Sequence, residues 1–296
     1  MSVRAEPPVL ARGDHIAPGY RVVEHLSRAR RLDAYEVWSD ERGCGCVAKV
    51  LRPDRVGEAK SRAALLAEGQ RLRSFSHPHL VRAYDVIERP HPVVILETLE
   101  GETVAHLIER HPTGLDADEV AWLGLHLASA LGYLHRHGLL HLDVKPANVI
   151  AEGGRAKLID LSIARPPGPC RAGGGTWAYM APEQATGGHV DEAADVWGLG
   201  TVLFEAAAGR PPFEIPDLPT LDTDGRADAG YPQLEGRAPA LTSAPPALAE
   251  IVGDCLLPAP LDRPSLAQVR AALVPLAPGA ADRLPVEAGR PPTPEH

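Results

Sequence analysis

Lysine and asparagine are almost missing from this 296-residue chain: it holds four lysines, Lys49, Lys60, Lys145 and Lys157, and a single asparagine, Asn148. Cysteine is scarce as well. Cys44, Cys46, Cys170 and Cys255 are too few and too scattered for a disulfide framework, so they read as reduced thiols in a cytoplasmic protein. Cys44-Gly45-Cys46 has no second Cys/His pair at zinc spacing, which makes it a turn between strands rather than half a metal site. No apolar run approaches the ~20 residues needed to cross a bilayer, so no membrane association is expected. The opening residues, MSVRAEPPVLARGD, carry prolines and charges where a secretory leader has an unbroken apolar core. A net charge of -9 with no basic run excludes a general nucleic-acid binder, which needs clustered Lys and Arg to neutralise phosphates.

What is present is a globular composition, 44% hydrophobic and 23% charged, with 30 prolines gathered mostly after residue 210. From Tyr20 to Glu97 short β-rich runs (YRVVEHL, AYEVW, CVAKVL, VRAYDVIE, PVVILE) are separated by polar or Gly/Pro turns. One charged, Ala/Leu-rich helix over 58–74 interrupts them, which predicts an antiparallel sheet carrying one helix. After Glu100 the texture turns helical. Asp116 and Glu119 form a capping-box pattern ahead of an apolar face of Val120, Leu123, Leu127, Leu131 and Leu134, with Gly138 placed to end the helix. A second long helix is expected from Asp191 to Ala208 and a shorter one from Ser265 to Leu273. The expected organisation is an N-terminal extension (1–18), a small lobe (19–100), a larger lobe (101–275) and a disordered Pro-rich tail (276–296).

Arginine supplies nearly all the basic residues, so the lysines that remain stand where a compact ammonium on a flexible stem is needed. Lys49 lies in Val47-Ala48-Lys49-Val50, mid-strand, where a charge requires a partner; Glu68 on the following helix is the natural one. The bland alternative is a strand-edge lysine snorkelling to solvent. Lys145 lies in HLDVKPANVI, flanked by Asp143 and Asn148, and Asp160 follows in KLIDLS after a short hairpin. Asp and Asn favour turns in any protein. Together, though, two carboxylates, an amide and an ammonium on adjacent loops suit phosphoryl transfer, because hard oxygens match Mg²⁺ on phosphates and a cation steadies the transferring group.

These residues resemble the eukaryotic-type serine/threonine protein kinase family in its bacterial form, over roughly residues 19–275. VAKV around Lys49 resembles the family's VAIK strand, and Glu68 in LAEGQRL matches its helix glutamate. His141 to Asn148 resembles H-R-D-x-x-x-x-N, Asp160 the D-F-G aspartate, and GTWAYMAPEQ (Gly175 to Gln184) the substrate-facing loop. Asp195 in DVWGLG and Arg263 in DRPS also match, the latter as the partner of Glu183. The resemblance implies an α+β, protein-kinase-like fold: a small antiparallel sheet with one helix, and a larger, mostly helical lobe. It implies Mg²⁺-ATP as phosphoryl donor and a protein Ser or Thr hydroxyl as acceptor. Lys49, paired with Glu68, would then hold the α- and β-phosphates, and Asn148 and Asp160 the metal. Asp143 would take the hydroxyl proton, Lys145 would neutralise charge on the γ-phosphoryl group and Thr176 would border the acceptor. Leu96 would be the gatekeeper, and Glu97 to Leu99 the hinge whose backbone meets adenine.

Three features depart from the family pattern. The nucleotide-covering G-x-G-x-x-G is replaced by Ser27, Ala29 and Leu32, which predicts weak ATP binding; Arg28, Arg30 and Arg31 are candidates to supply charge instead. Leu142 stands where an Arg usually reads a phosphorylated loop, and no Ser or Thr lies between Ser162 and Thr176, so phosphorylation there is not expected to act as a switch. Control is left to a regulatory protein partner or to expression. The competing expectations are a pseudokinase scaffold and a small-molecule phosphotransferase; His135, His137 and His141 are expected to be scaffold residues rather than zinc ligands.

Overall fold

The computed structural model describes residues 7–213 and 230–279. Period-two patterning builds the first lobe: in Leu32–Ser39 the side chains of Asp33, Tyr35, Val37 and Ser39 turn inward while their neighbours face out. The strands are β1 (His15–Ala17), β2 (Tyr20–Arg28), β3 (Leu32–Ser39), β4 (Cys44–Leu51), β5 (Ala83–Ile87) and β6 (Val93–Glu97). They form one antiparallel sheet in the order β1-β2-β3-β4-β6-β5. One face buries Tyr20, Val22, Tyr35, Val37, Cys46, Ala48 and Ile95. The opposite face of β4 therefore carries Lys49 toward α1 (Ala59–Ser74), which packs on β5 and β6. Gly69 makes that approach possible, since a Cβ there would stand 2.6 Å from Val94 Cγ2.

The second lobe adds β7 (Glu102–Thr103), α2 (Val104–Arg110), α3 (Ala117–Arg136), β8 (Val149–Glu152) and β9 (Arg155–Leu158). Next come β10 (Gly168–Pro169), α4 (Pro182–Thr186), β11 (His189–Val190) and α5 (Glu192–Ala208), followed by α6 (Pro232–Glu235), α7 (Pro246–Cys255) and α8 (Leu266–Leu273). The ends of α3 and α5 are capped. Asp116 N–H donates to Glu119 Oε2 at 3.1 Å, Asp191 Oδ1 accepts from Ala193 N–H at 2.9 Å, and Gly209 ends α5 with φ 69°. Helices α3 and α5 share one apolar core with Leu65 and Leu72 of α1, so the two lobes meet through continuous packing behind the cleft.

Local expectations shift in three places. Cys44, Gly45 and Cys46 open strand β4 and are not its turn; the reversal is made one step earlier, where Gly43 N–H bonds Ser39 O and Gly43 takes φ 64°. Residues 15–17, placed in the N-terminal extension by sequence, pair with β2 as an edge strand that an irregular three-residue segment does not advertise. At the other end Val274–Leu276 forms a helical turn and Ala277 is buried, because apolar residues there still find the core. The remainder of the expected tail, 280–296, lies outside the described residues. No described helix is long and apolar enough to cross a membrane.

Candidate active site

In the first lobe, Lys49 Nζ lies 2.8 Å from Glu68 Oε1 and 3.4 Å from Asp160 Oδ2. Burial disfavours all three charges; attraction to the opposite charge outweighs it for Lys49 and Asp160, whereas at Glu68 burial, assisted by the nearby Asp160, prevails over Lys49 and raises the carboxyl pKa. For Lys49, burial pulls the ammonium pKa down, but Glu68 and Asp160 outweigh it and hold the value above the ordinary range. For Asp160, burial raises the pKa, but Lys49 and the Ser162 N–H outweigh it and bring the carboxyl down to about 2. Asp160 also holds a left-handed φ of 70°, which costs a non-glycine residue ~1–3 kcal/mol and persists only where the surroundings over-determine it. Here Ser162 N–H donates to Asp160 Oδ1 at 2.9 Å on one side, with Lys49 on the other.

The loop from His141 to Asn148 hangs on Asp195, which is fully buried on α5. Its carboxylate accepts the N–H groups of Leu142 at 2.7 Å and His141 at 2.9 Å, with His135 Nε2 at 2.8 Å. Gly198, one turn along, lets α5 come this close: a Cβ there would stand 2.8 Å from Val144 Cβ. Leu142 is the second non-glycine residue with left-handed backbone among the described residues, φ 65°. Asp143 Oδ2 accepts from Lys145 Nζ at 2.8 Å and Asn148 Nδ2 at 2.9 Å; Asp143 Oδ1 accepts from Thr176 Oγ1 at 2.6 Å and Thr176 N–H at 3.1 Å. Lys145 Nζ also donates to Thr176 Oγ1 at 2.6 Å. Ile159 N–H donates to Asn148 O at 2.9 Å, so Asp160 follows directly from the residue that ties β9 to the loop. The amide nitrogen of Asn148 is spent on Asp143, which leaves Oδ1 as its acceptor atom. With the Asp160 carboxylate this makes a hard-oxygen donor set that fits Mg²⁺.

Leu96 is buried in β6 opposite Val47, and Leu99 packs against the core. Between them the Glu97 side chain is committed elsewhere: Oε2 lies 2.7 Å from Lys157 Nζ and Oε1 accepts from Arg82 N–H at 3.0 Å. Lys157, unassigned by sequence, thus braces the end of β6 against β9.

The segment from Ser27 to Leu32, where the resemblance places the glycine-rich loop, forms a tight hairpin. Ala29 N–H bonds Leu32 O at 2.8 Å, and no residue from Ser27 to Leu32 takes a positive φ, so replacing the glycines carries no left-handed strain. Arg28 does not supply charge to the cleft. Its Nε and Nη2 grip Asp33 at 2.7 and 2.9 Å and its Nη1 donates to Pro7 O at 2.8 Å, with His25 Nε2 3.4 Å from the same carboxylate. Arg31 lies 4.0 Å from Glu58, which dilutes its charge as well.

On the substrate-facing side, Glu183 and Arg263 form the expected pair, bidentate at 2.7 and 2.8 Å. Sequence reasoning missed three supports. Gln184 Nε2 donates to Leu142 O at 3.0 Å and Gly174 O at 2.9 Å; Gln233 Nε2 donates to the carbonyls of Trp177 and Met180, both at 3.0 Å; Arg71 Nη1 of α1 donates to Ala164 O at 2.8 Å. Neither glutamine carries a local signal, since Gln184 stands in APEQATGG and Gln233 in GYPQLEGR, and only their burial in the fold marks them. His135, His137 and His141 bond Asp195, Tyr133 O and Ile159 O respectively, as scaffold residues do. A cavity of about 910 Å³ lined by His79, Trp122 and His126 contains none of the residues of this cluster.

The protein kinase domain model matches residues 21–273. Serine/threonine-protein kinase PknF of Mycobacterium tuberculosis is 32% identical over 254 residues, 81% of this chain and 53% of that protein. Serine/threonine-protein kinase PknB of Mycobacterium leprae is 34% identical over 220 residues, 70% of this chain and 33% of that protein. A probable serine/threonine-protein kinase of Streptomyces coelicolor is 31% identical over 207 residues, 66% of this chain and 31% of that protein. The chain spans about half or less of the length of these relatives. With the family model covering most of its length and both lobes folded as the motifs require, the chain belongs to the protein kinase domain family.

Proposed function

We propose that this chain transfers the γ-phosphoryl group of ATP to a serine or threonine hydroxyl of a protein substrate. The observation that carries this is Thr176 Oγ1, 2.6 Å from both Asp143 Oδ1 and Lys145 Nζ: a side-chain hydroxyl already rests on a carboxylate beside an ammonium. An acceptor hydroxyl brought to the same carboxylate gives its proton to Asp143 as its oxygen bonds to the γ-phosphorus. The bond from that phosphorus to the bridging oxygen breaks, and ADP leaves. Lys145 offsets charge on the transferring group, and Lys49, fixed by Glu68, offsets it on the α- and β-phosphates. Asn148 and Asp160 would hold Mg²⁺, which when bound neutralises phosphate charge. Main chain at Ser27 and Ala29 covers the nucleotide, and Leu96, Glu97 and Leu99 border the base. Little covalent chemistry is asked of the protein, so positioning and electrostatics carry the rate.

Side chains at Ser27, Ala29 and Leu32 in place of glycines keep backbone N–H groups from closing on phosphate, so Mg-ATP binds weakly; a low-micromolar Kd by calorimetry refutes this. The complete Lys49–Glu68–Asp160 triad favours turnover over a scaffold role, and the Glu183–Arg263 pair beneath the substrate-facing loop favours a protein acceptor over a small molecule. With loop phosphorylation set aside, control falls to a regulatory protein acting at the surface or to expression. A cytoplasmic setting suits a reaction that consumes ATP. The test is incubation with Mg²⁺ and labelled ATP, comparing the wild type with Asp143→Asn: label on protein only with the wild type supports transfer, and equal absence of label sinks it.

A further inference from the structure

Gln184 occupies the third position of α4, buried to 3% exposure, and both polar atoms of its side chain are bonded. Its two N–H groups go to Leu142 O and Gly174 O at 3.0 and 2.9 Å, and its Oε1 accepts from Ala181 N–H at 3.1 Å. Its main-chain carbonyl accepts from Gly173 N–H at 3.0 Å. Leu142 immediately precedes Asp143, and Gly174 precedes Thr176 by two residues. One amide therefore fixes the backbone on both sides of the Asp143–Thr176 contact. It also holds the second end of the strained Leu142 peptide, whose N–H is held by Asp195. The helix under Gln184 is itself anchored, because Arg263 grips Glu183 and donates to Leu257 O, Ala193 O and Pro258 O. Space is tight as well: a Cβ at Gly175 would stand 3.3 Å from Leu142 O and 3.4 Å from Gln184 Nε2. Residues 163–175, the stretch being held, contain no Ser, Thr or Tyr.

We infer that Gln184 is the positioning residue that assembles the acceptor site, and that its neutral amide keeps residues 171–176 docked on the catalytic loop without any phosphate. In its activity readouts this inference rests on the phosphoryl-transfer function proposed above. The bonds are between neutral groups, so the docked state is insensitive to phosphatase. Gln233 works in the same way further along, holding the carbonyls of Trp177 and Met180 from below.

The test compares wild type, Gln184→Met, Gln184→Glu and Asp143→Asn. Gln184→Met removes both donors without adding charge, and kcat/KM for a generic protein substrate should fall at least tenfold at every pH, with Mg-ATP affinity by calorimetry unchanged. Gln184→Glu presses a carboxylate on two carbonyl oxygens, yet once protonated it donates to one of them. Its kcat/KM relative to wild type should therefore rise at least threefold from pH 8 to pH 6, a recovery that a merely destabilised variant does not show. Trypsin cleavage after exposed Arg171, mapped by mass spectrometry, should accelerate at least fivefold in both Gln184 variants and not in Asp143→Asn. Phosphatase treatment of the wild type should leave its rate within twofold. Unchanged cleavage at Arg171, a flat Gln184→Glu ratio or a rate lost on phosphatase treatment each overturns the proposal. If wild type and Asp143→Asn transfer no label alike, the transfer function fails while the trypsin comparison still decides the role of Gln184.

Discussion

Lys145 and Thr176, thirty-one residues apart, meet at 2.6 Å and share the two oxygens of Asp143 between them. The ammonium orients the hydroxyl, so that its proton faces Oδ1 while its lone pair accepts from Nζ. Thr176→Ser keeps this arrangement and should retain activity within a few-fold. Thr176→Val keeps the shape and loses both bonds, so kcat should fall at least tenfold, equivalent to ~1.4 kcal/mol, with the KM for ATP unchanged. Steady-state kinetics with the two variants checks it; equal activity would mean that the hydroxyl is only packing.

Lys49→Met should abolish transfer and also lower stability, because Glu68 is then left as a buried carboxylate with no counter-charge. Breaking a buried pair from one side costs ~3–5 kcal/mol, which in a domain of this size is a drop in melting temperature on the order of 10 °C. The double variant Lys49→Met/Glu68→Leu should melt higher than Lys49→Met alone. Differential scanning calorimetry of the three proteins decides, and a double variant no better than the single removes the pair from the stability account.

The hairpin makes a similar claim with a different readout. Arg28 is held by Asp33 and Pro7 O, away from any phosphate, so Arg28→Leu/Asp33→Leu should bind Mg-ATP within twofold of wild type. Either single change leaves one charge unpaired against apolar neighbours, and each should melt below the double variant. A tenfold loss of ATP affinity in the double variant would place the guanidinium in the nucleotide site after all.

Acid should loosen the seam behind the cleft. Burial, assisted by His79 and nearby arginines, lowers the pKa values of His77 and His126 from 6.5 to about 4, so both imidazoles are neutral in the fold. The unfolded chain takes up these protons first. The stability they contribute is complete above pH 6.5 and is lost progressively as pH falls toward 4. A His77→Gln/His126→Gln variant should therefore show a shallower fall in melting temperature between pH 6.5 and 4.5 than the wild type. Parallel curves would show that the imidazoles titrate alike in both states.

Much of this site is legible in the sequence, and the part that is not has a physical reason. Lys49, Asp143, Lys145, Asn148 and Asp160 stand out because their residue types are rare in this chain or costly where they occur, and each does reach the cluster. The helix limits at Asp116, Gly138 and Asp191 could be read because a cap is a local event, settled within four residues. Gln184 and Gln233 could not be read, because their value depends on which carbonyls lie opposite them in space. The same holds for Arg28: an arginine at a loop tip looks like a phosphate ligand until the partner across the hairpin is seen. Cys44 to Cys46 misled because glycine suggests a turn, whereas β4 tolerates it where the sheet begins.

Arg71 ties α1 to Ala164, just beyond the Asp160 turn, while Glu68 on the preceding turn of the same helix holds Lys49. Rotating that helix outward would therefore pull on the lysine and on the backbone after Asp160 at the same moment. A molecule wedged under α1 would gain leverage over Lys49 and the Asp160 turn in one stroke.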